Sequence, residues 1–415
     1  KDFATWSTRI EKFIMHNGIS FDSPILNRLT GSSIKPTQIR DTLIESQLYN
    51  PVRDGGHSLK AWGERLNFPK GDYTEFEVFT EEMLEYCKQD VKVTRRVAQE
   101  LEKEGKDFSQ DSYELERKIR LIIDQQEKNG FAFDIRSAIS FLCVLEEEQR
   151  DLEDKAQEMF EPTKVELKTK TKYIPFNIAS RKQIAERLME RGWKPTKKTD
   201  KGNVIVSEEI LDTIDMPEAK MFSRYFLLQK RTGLLKSWIQ ASEDDEKVRG
   251  RVMTLRTITG RMAHNSPNMA QVPAVYSGLE LRCLAHYMND SNFTQEVVHG
   301  DVHTANMKAA GLTDRDQAKT FIYAFLYGAG PAKIGKVVGG SAREGQQLIT
   351  KFLSNMPKLK TLRDNVIEGS KKGTLRALDG RLLHIRADYA SLNTLLQGAG
   401  AIICKQWLVH MYEMI

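Results

Sequence analysis

Arg315, Lys319, Tyr323 and Tyr327 recur every four residues in the stretch LTDRDQAKTFIYAFLYGAG. At about 100° per residue, the first three fall within roughly 80° of arc on one helix face. Two cations followed by an aromatic ring can hold a string of phosphates and stack against a base or sugar. A plain solvent-facing stripe beside an apolar face (Phe321, Ile322, Phe325, Leu326) has the same spacing, so the pattern alone leaves both readings open. Tyr86 and Asp90, in YCKQD, are four apart and share a helix face, and Asp22 follows a strand-like run in HNGISFD. Asp41, in the DTL run, reads as a helix cap rather than a ligand.

The cationic stripe requires a helix of about three turns. Thr313 is expected to cap it, with Asp316 completing a capping box, and Gly328 and Gly330 to stop it. LNTLLQGAGAIICKQW (392–407) reads as a second helix, with Leu395, Leu396, Ala399, Ile402 and Ile403 inward. Asn393 and Gln397 then lie four apart on its other face, a spacing that buried capping amides also give. Residues 107–160 have helical periodicity broken at Asn129–Gly130. Residues 161–204 read as loops around one helix near 179–191, and 205–240 return to helix. From 250 onward short strands alternate with longer helices. Three regions follow: 1–106, 107–250 and 251–415.

Composition narrows the class. Of 415 residues, 40% are hydrophobic and 29% charged, which excludes a disordered chain. No apolar run reaches the ~18 residues of a membrane span, and the opening KDFATWSTRIEKF has no signal-peptide pattern. No membrane partner and a cytoplasmic location are therefore expected. The four cysteines are scattered, which disfavours a disulfide framework or a zinc site. Net charge is +5, too mild to prove a nucleic-acid partner. Residues 351–386, however, carry nine basic and three acidic residues, a local +6 that suits a phosphate backbone or a solvated helix face.

Several segments, in order, carry a resemblance. R-x3-K-x3-Y-x3-YG resembles the fingers helix of family A DNA polymerases, the DNA polymerase I type. SGLELRCLAHYM (277–288), GDVHT (300–304), TGRMAHNSPNMAQVP (259–273) and LNTLLQGAGAIICK (392–405) resemble further stretches of that family. QEKNGFAFD (126–134), FNIASRKQIAERL (176–188) and GWKPTKKTDKG (192–202) resemble its thumb region, and HNGISFD and YCKQD its exonuclease domain. The likeness covers nearly the whole chain and is nearest to the podophage replicative polymerases.

The resemblance implies an α/β fold: a right hand of palm, fingers and thumb with an N-terminal DnaQ-like (ribonuclease H-like) exonuclease domain. Residues 1–106 would be the 3′–5′ exonuclease, 107–250 the thumb, and 251–415 the palm and fingers. The implied function is template-directed DNA synthesis, with primer–template DNA and dNTPs as partners and Mg²⁺ as cofactor in a two-metal mechanism. Arg315, Lys319 and His303 would bind the triphosphate. Tyr323 would pack on base and sugar with Tyr327 next to it, and Glu280 would hydrogen-bond Tyr323 and exclude a ribose 2′-OH. A Tyr at 323, as in the phage and mitochondrial branches, implies tolerance of dideoxynucleotides. Arg261, Asn268, Gln271, Asn393 and Gln397 would contact the duplex, several through minor-groove acceptors that are alike in every base pair. Asp22 and Asp90 would be metal ligands, with Tyr86 orienting water. The best-known podophage member has a long basic insertion in the thumb that binds a host thioredoxin. Only a short Lys-rich loop occupies that place here, so no thioredoxin-type clamp is expected.

The pattern is interrupted at the metal ligands. The exonuclease's opening Asp-x-Glu has no counterpart. Val275 stands where the first palm Asp belongs, two residues before Ser277, and a strand-bearing stretch between Pro273 and Ser277 is lacking. The family's His-Asp-Glu turn would follow the last helix, beyond Ile415. The preferred expectation is a complete polymerase with segments outside this sequence. The alternatives are a catalytically inactive relic that covers primer–template junctions, or an exonuclease only.

Overall fold

The computed structural model describes residues 2–166, 171–195, 198–199, 202–269 and 278–414. The chain divides into two compact units. The first takes the described residues up to Gln126, Val252–Ala263, and those from Gly278 onward. The second takes Glu127–Arg251 and the described residues from His264 to Met269. The expected boundary at 106–107 falls inside the first unit.

Helices carry most of the packing, so the α/β expectation holds only in part. Among the described residues every sheet has two strands. Phe13–Met15 and Ile39–Asp41 pair in parallel, and Thr374–Arg376 and Leu382–His384 pair antiparallel. Strands of three residues cannot bury a core by themselves, and helices must cover them.

In the first unit, Glu81–Glu104 begins where the Thr80 side chain accepts a hydrogen bond from the Met83 N–H. Its Val93, Val97 and Leu101, spaced by four, bury fully with Trp62. Gln110–Asn129 ends at Gly130, whose φ of +66° suits glycine. Its Ile119, Ile122 and Ile123 cluster with Val252, Leu383, Ile402 and Val409. Ser391–Met414 buries Leu395, Leu396, Ala399 and Ile402 as expected, while Ile403 is only partly buried.

A buried ion network joins these two helices. Lys405 is 1% exposed, and its Nζ donates to both Glu116 oxygens at 2.7 Å and to the Thr254 carbonyl at 2.9 Å. Arg381, 2% exposed, donates to Glu116 Oε1 at 2.7 Å and to the Asp379 carboxylate. Two cations and two anions cancel. Burial pulls the Lys405 ammonium down to about 8, despite Glu116 beside it. Arg381 is thereby withdrawn from the basic surface segment to which its sequence position assigned it.

In the second unit, Ile135–Met159 packs along Pro217–Gln240. Phe160, Phe176 and Phe222 meet with ring centroids 4.6–5.8 Å apart. Arg181–Glu190, capped by Ser180, adds Ile184 and Leu188 to that core. Thr163–Glu166 and Thr171–Ile174 form an antiparallel hairpin. Among the described residues no helix is long and apolar enough to cross a membrane.

Lys405→Met leaves Glu116 facing Arg381 alone. Breaking a buried pair in this way should lower the unfolding free energy by ~3–5 kcal/mol in urea titrations. A loss below ~1 kcal/mol, as for an exposed pair, contradicts a structural role for the network.

Candidate functional site

The Arg315–Leu326 helix is anchored by Ala318, Phe321, Ile322, Phe325 and Leu326, all buried. Phe352, from Ala342–Asn355, meets Phe321 and Phe325 edge-on with centroids 5.1 and 5.5 Å away. With that face taken, Arg315 and Lys319 are exposed, Tyr323 is half-buried and Tyr327 is exposed. The cap is Asp314 rather than Thr313: its carboxylate accepts from the Gln317 N–H. A carboxylate makes the stronger, charge-assisted bond at a helix start, which shifts the boundary by one residue. Gly328, at φ +75°, closes the helix, and a Cβ there would lie 2.3 Å from the Tyr389 carbonyl oxygen.

Val302–Ala310 packs against this helix. The His303 ring is 6.2 Å from that of Tyr323, and the Tyr323 ring is 6.3 Å from that of Tyr327, giving a row of three. Burial, with Arg315 and Lys319 nearby, lowers the His303 pKa against the opposing pull of Asp301 and Asp316. His303 is therefore neutral at pH 7, and its buried Nδ1 has no hydrogen-bond partner. A buried nitrogen without a partner is free to take a polar contact from a bound group.

Asp301 was missed by sequence reasoning. It caps Val302–Ala310 and holds Arg315 through Nε at 2.7 Å and Nη2 at 2.9 Å. Arg315 and Thr304 keep its carboxyl well below the usual range. The Asp-x-x-Thr cap spacing signalled the helix start. Nothing in the sequence signalled the arginine.

Glu280, on Leu279–Met288, lies close enough to both Tyr323 and Tyr327 to add to the rise in their pKa, which burial leads. The expected Glu280–Tyr323 hydrogen bond is not formed; the two act on each other through space. Arg261, Glu280 and Gln397 line one cavity of about 190 Å³ with Leu279, Leu396 and Cys404. From 391 to 400 every residue is buried except Asn393 and Gln397, which share one face. Asn268 is in the second unit, exposed, with its carbonyl accepting from Trp238 Nε1 at 3.2 Å. Gln271 lies outside the described residues. A cavity of about 410 Å³ is lined by Leu326, Gly328, Tyr389 and, from the basic segment, Lys360 and Arg363.

Asp22 and Asp90 line a separate cavity of about 650 Å³ with His16, Lys70 and Arg95. Lys70 Nζ donates to Asp90 Oδ2 at 2.8 Å and lies 4.7 Å from the Tyr86 ring centroid. Burial raises the Asp22 pKa. Asp41 is a cap, accepting from the Leu43 N–H and also from those of Asn17 and Ile19. Among the described residues no group of three or more His, Cys, Asp or Glu could hold a metal ion, so Asp22 and Asp90 do not form a complete donor set.

The sequence profile of DNA polymerase family A matches residues 144–275 and 274–415. The DNA-directed DNA polymerase of Escherichia phage T7 is 31% identical over 546 aligned positions, covering 95% of this chain and 77% of that protein. That of Enterobacteria phage T3 has the same identity and coverage. DNA polymerase I of Bacillus subtilis is 25% identical over 350 positions, 72% of this chain and 38% of that protein. The POL domain of Pol1 from M. smegmatis, solved in complex with DNA primer-template and dNTP, has the same fold: TM-score 0.82 at 16% identity, over 100% of this chain and 78% of that one.

His16 donates to or accepts from Thr42 Oγ1 at 2.9 Å, and burial lowers its pKa to about 4. Between pH 6.5 and 4 the unfolded chain binds a proton that folded His16 does not, so stability falls as pH drops through that window. His16→Gln should flatten the acid limb of urea midpoint against pH. An unchanged limb contradicts a neutral buried His16.

Proposed function

The chain belongs to DNA polymerase family A and is a DNA-directed DNA polymerase, and on that premise we propose which residues form its site. The reaction joins a primer 3′-OH to the α-phosphate of a dNTP and releases pyrophosphate. The observation that carries the assignment is the gathering of Arg315, Lys319, His303, Tyr323, Tyr327 and Glu280 around one helix face.

Arg315 offers a planar fork and Lys319 a point charge, and together they neutralise a triphosphate. The orphaned Nδ1 of neutral His303 adds a polar contact beside them. The Tyr323 ring packs on base and sugar, with Tyr327 continuing the row. Glu280 faces Tyr323 and narrows the space where a ribose 2′-OH would go. Arg261, Asn393 and Gln397 follow the minor groove, where acceptors sit alike in every base pair. Asn268 and Gln271 are assigned to the duplex as well. Lys360, Arg363 and Tyr389 combine cations with an exposed ring, which suits a template strand.

We assign residues 107–250 as the thumb, 251–415 as palm and fingers, and 1–106 as a 3′–5′ exonuclease. In the last, Asp22 and Asp90 are the carboxylates and Tyr86 the water-orienting group. The family is generally metal-dependent, with Mg²⁺ supplying charge neutralisation at the phosphates. Among the described residues Asp22 and Asp90 are the carboxylates that would contribute to a seat for it, and no complete donor set is present.

Lys319→Ala should raise the dNTP KM and lower kcat in steady-state primer extension, cutting kcat/KM by ~10²-fold. An unchanged kcat/KM removes Lys319 from the site. Tyr323→Phe should keep dNTP incorporation and raise discrimination against dideoxynucleotides at least ~10-fold. Equal discrimination contradicts the placing of Tyr323 at the sugar.

A further inference from the structure

Arg315 is held before any nucleotide meets it. Its Nε and Nη2 donate to the two Asp301 oxygens at 2.7 and 2.9 Å. The same carboxylate accepts from the His303 and Thr304 N–H groups at 3.1 and 3.4 Å, and from Thr304 Oγ1 at 2.7 Å. One side chain thus ties the start of Val302–Ala310, which carries His303, to the start of Arg315–Leu326, which carries Arg315, Lys319 and Tyr323. Asp316 is a weaker partner, 4.0 Å from Nη1.

The pair is about half exposed on both sides, so it adds little to folding. Its consequence is geometric. A guanidinium has five N–H donors in one rigid plane. Asp301 engages one on Nε and one on Nη2, and three remain for phosphate oxygens. A free arginine must give up rotamer freedom to bind a ligand, and one already fixed does not. The negative charge of Asp301 is neutralised by the guanidinium it holds, which weakens its repulsion of phosphates.

We propose that Asp301 is a positioning residue for the incoming triphosphate: it presets the Arg315 fork beside His303 and so tightens dNTP binding. The inference rests on the reading of Arg315 as a triphosphate ligand.

The test is a double-mutant cycle on the full chain with primer–template and Mg²⁺. A fluorescent dNTP is titrated at equilibrium, so the readout does not depend on turnover. The proteins are the parent, Asp301→Asn, Arg315→Ala and the double variant. Asparagine keeps a cap oxygen for the His303 and Thr304 N–H groups but cannot accept both arginine donors. Asp301→Asn should raise the dNTP Kd about 5–10-fold, leave the primer–template Kd unchanged, and add no loss in the Arg315→Ala background. Additive losses mean that Asp301 acts through its cap and overturn the inference, as does tighter dNTP binding by Asp301→Asn. An Arg315→Ala variant with unchanged dNTP Kd overturns instead the reading of Arg315. Urea midpoints of the four proteins separate any loss of folding from loss of binding.

Discussion

A charged amine almost wholly removed from water sets the frame of the first unit. Lys405 has its Nζ on both Glu116 oxygens and on the Thr254 carbonyl, and Arg381 closes the network from the other side. An isolated buried charge is strongly unfavourable, so this lysine is tolerated only where all three partners converge. Three segments distant in sequence are thereby held in one arrangement: Gln110–Asn129, the run after Val252, and Ser391–Met414. Lys405 also lines the cavity that contains Arg261, Glu280 and Gln397. The network that fixes the helices therefore also bounds the cavity assigned to the duplex.

The nucleotide chemistry is laid out by helix phase. The apolar face of Arg315–Leu326 locks onto Phe352, and the opposite face presents two cations and two rings. Val302–Ala310 supplies a third ring and, through Asp301, the anion that holds Arg315. Placement of charge follows from packing: the aromatic core decides the helix rotation, and the rotation decides which side chains meet solvent.

Much of this was readable in advance where the signal is local. The four-residue spacing of Arg315 to Tyr327 and the alternation of Leu395, Leu396, Ala399 and Ile402 both depend only on helix geometry. The cap was misplaced by one residue because Thr313 and Asp314 are both competent and the carboxylate prevails. What escaped was long-range. Arg381 counts as a surface charge until Glu116, 265 positions away, is seen to bury it. The Asp301–Arg315 pair depends on how two helices meet, which neither segment states. The strand-like runs formed strands of only three residues in the first unit, too short to organise the fold as an α/β sheet.

The central claim is that the exposed face of the Arg315–Leu326 helix takes the nucleotide. Photocrosslinking of an azido-substituted dNTP to the full chain with primer–template, followed by peptide mass mapping, tests this without reliance on turnover. The account predicts label within 314–327, centred on Tyr323, that unlabelled dNTP competes away. Competable label confined to other segments would contradict it.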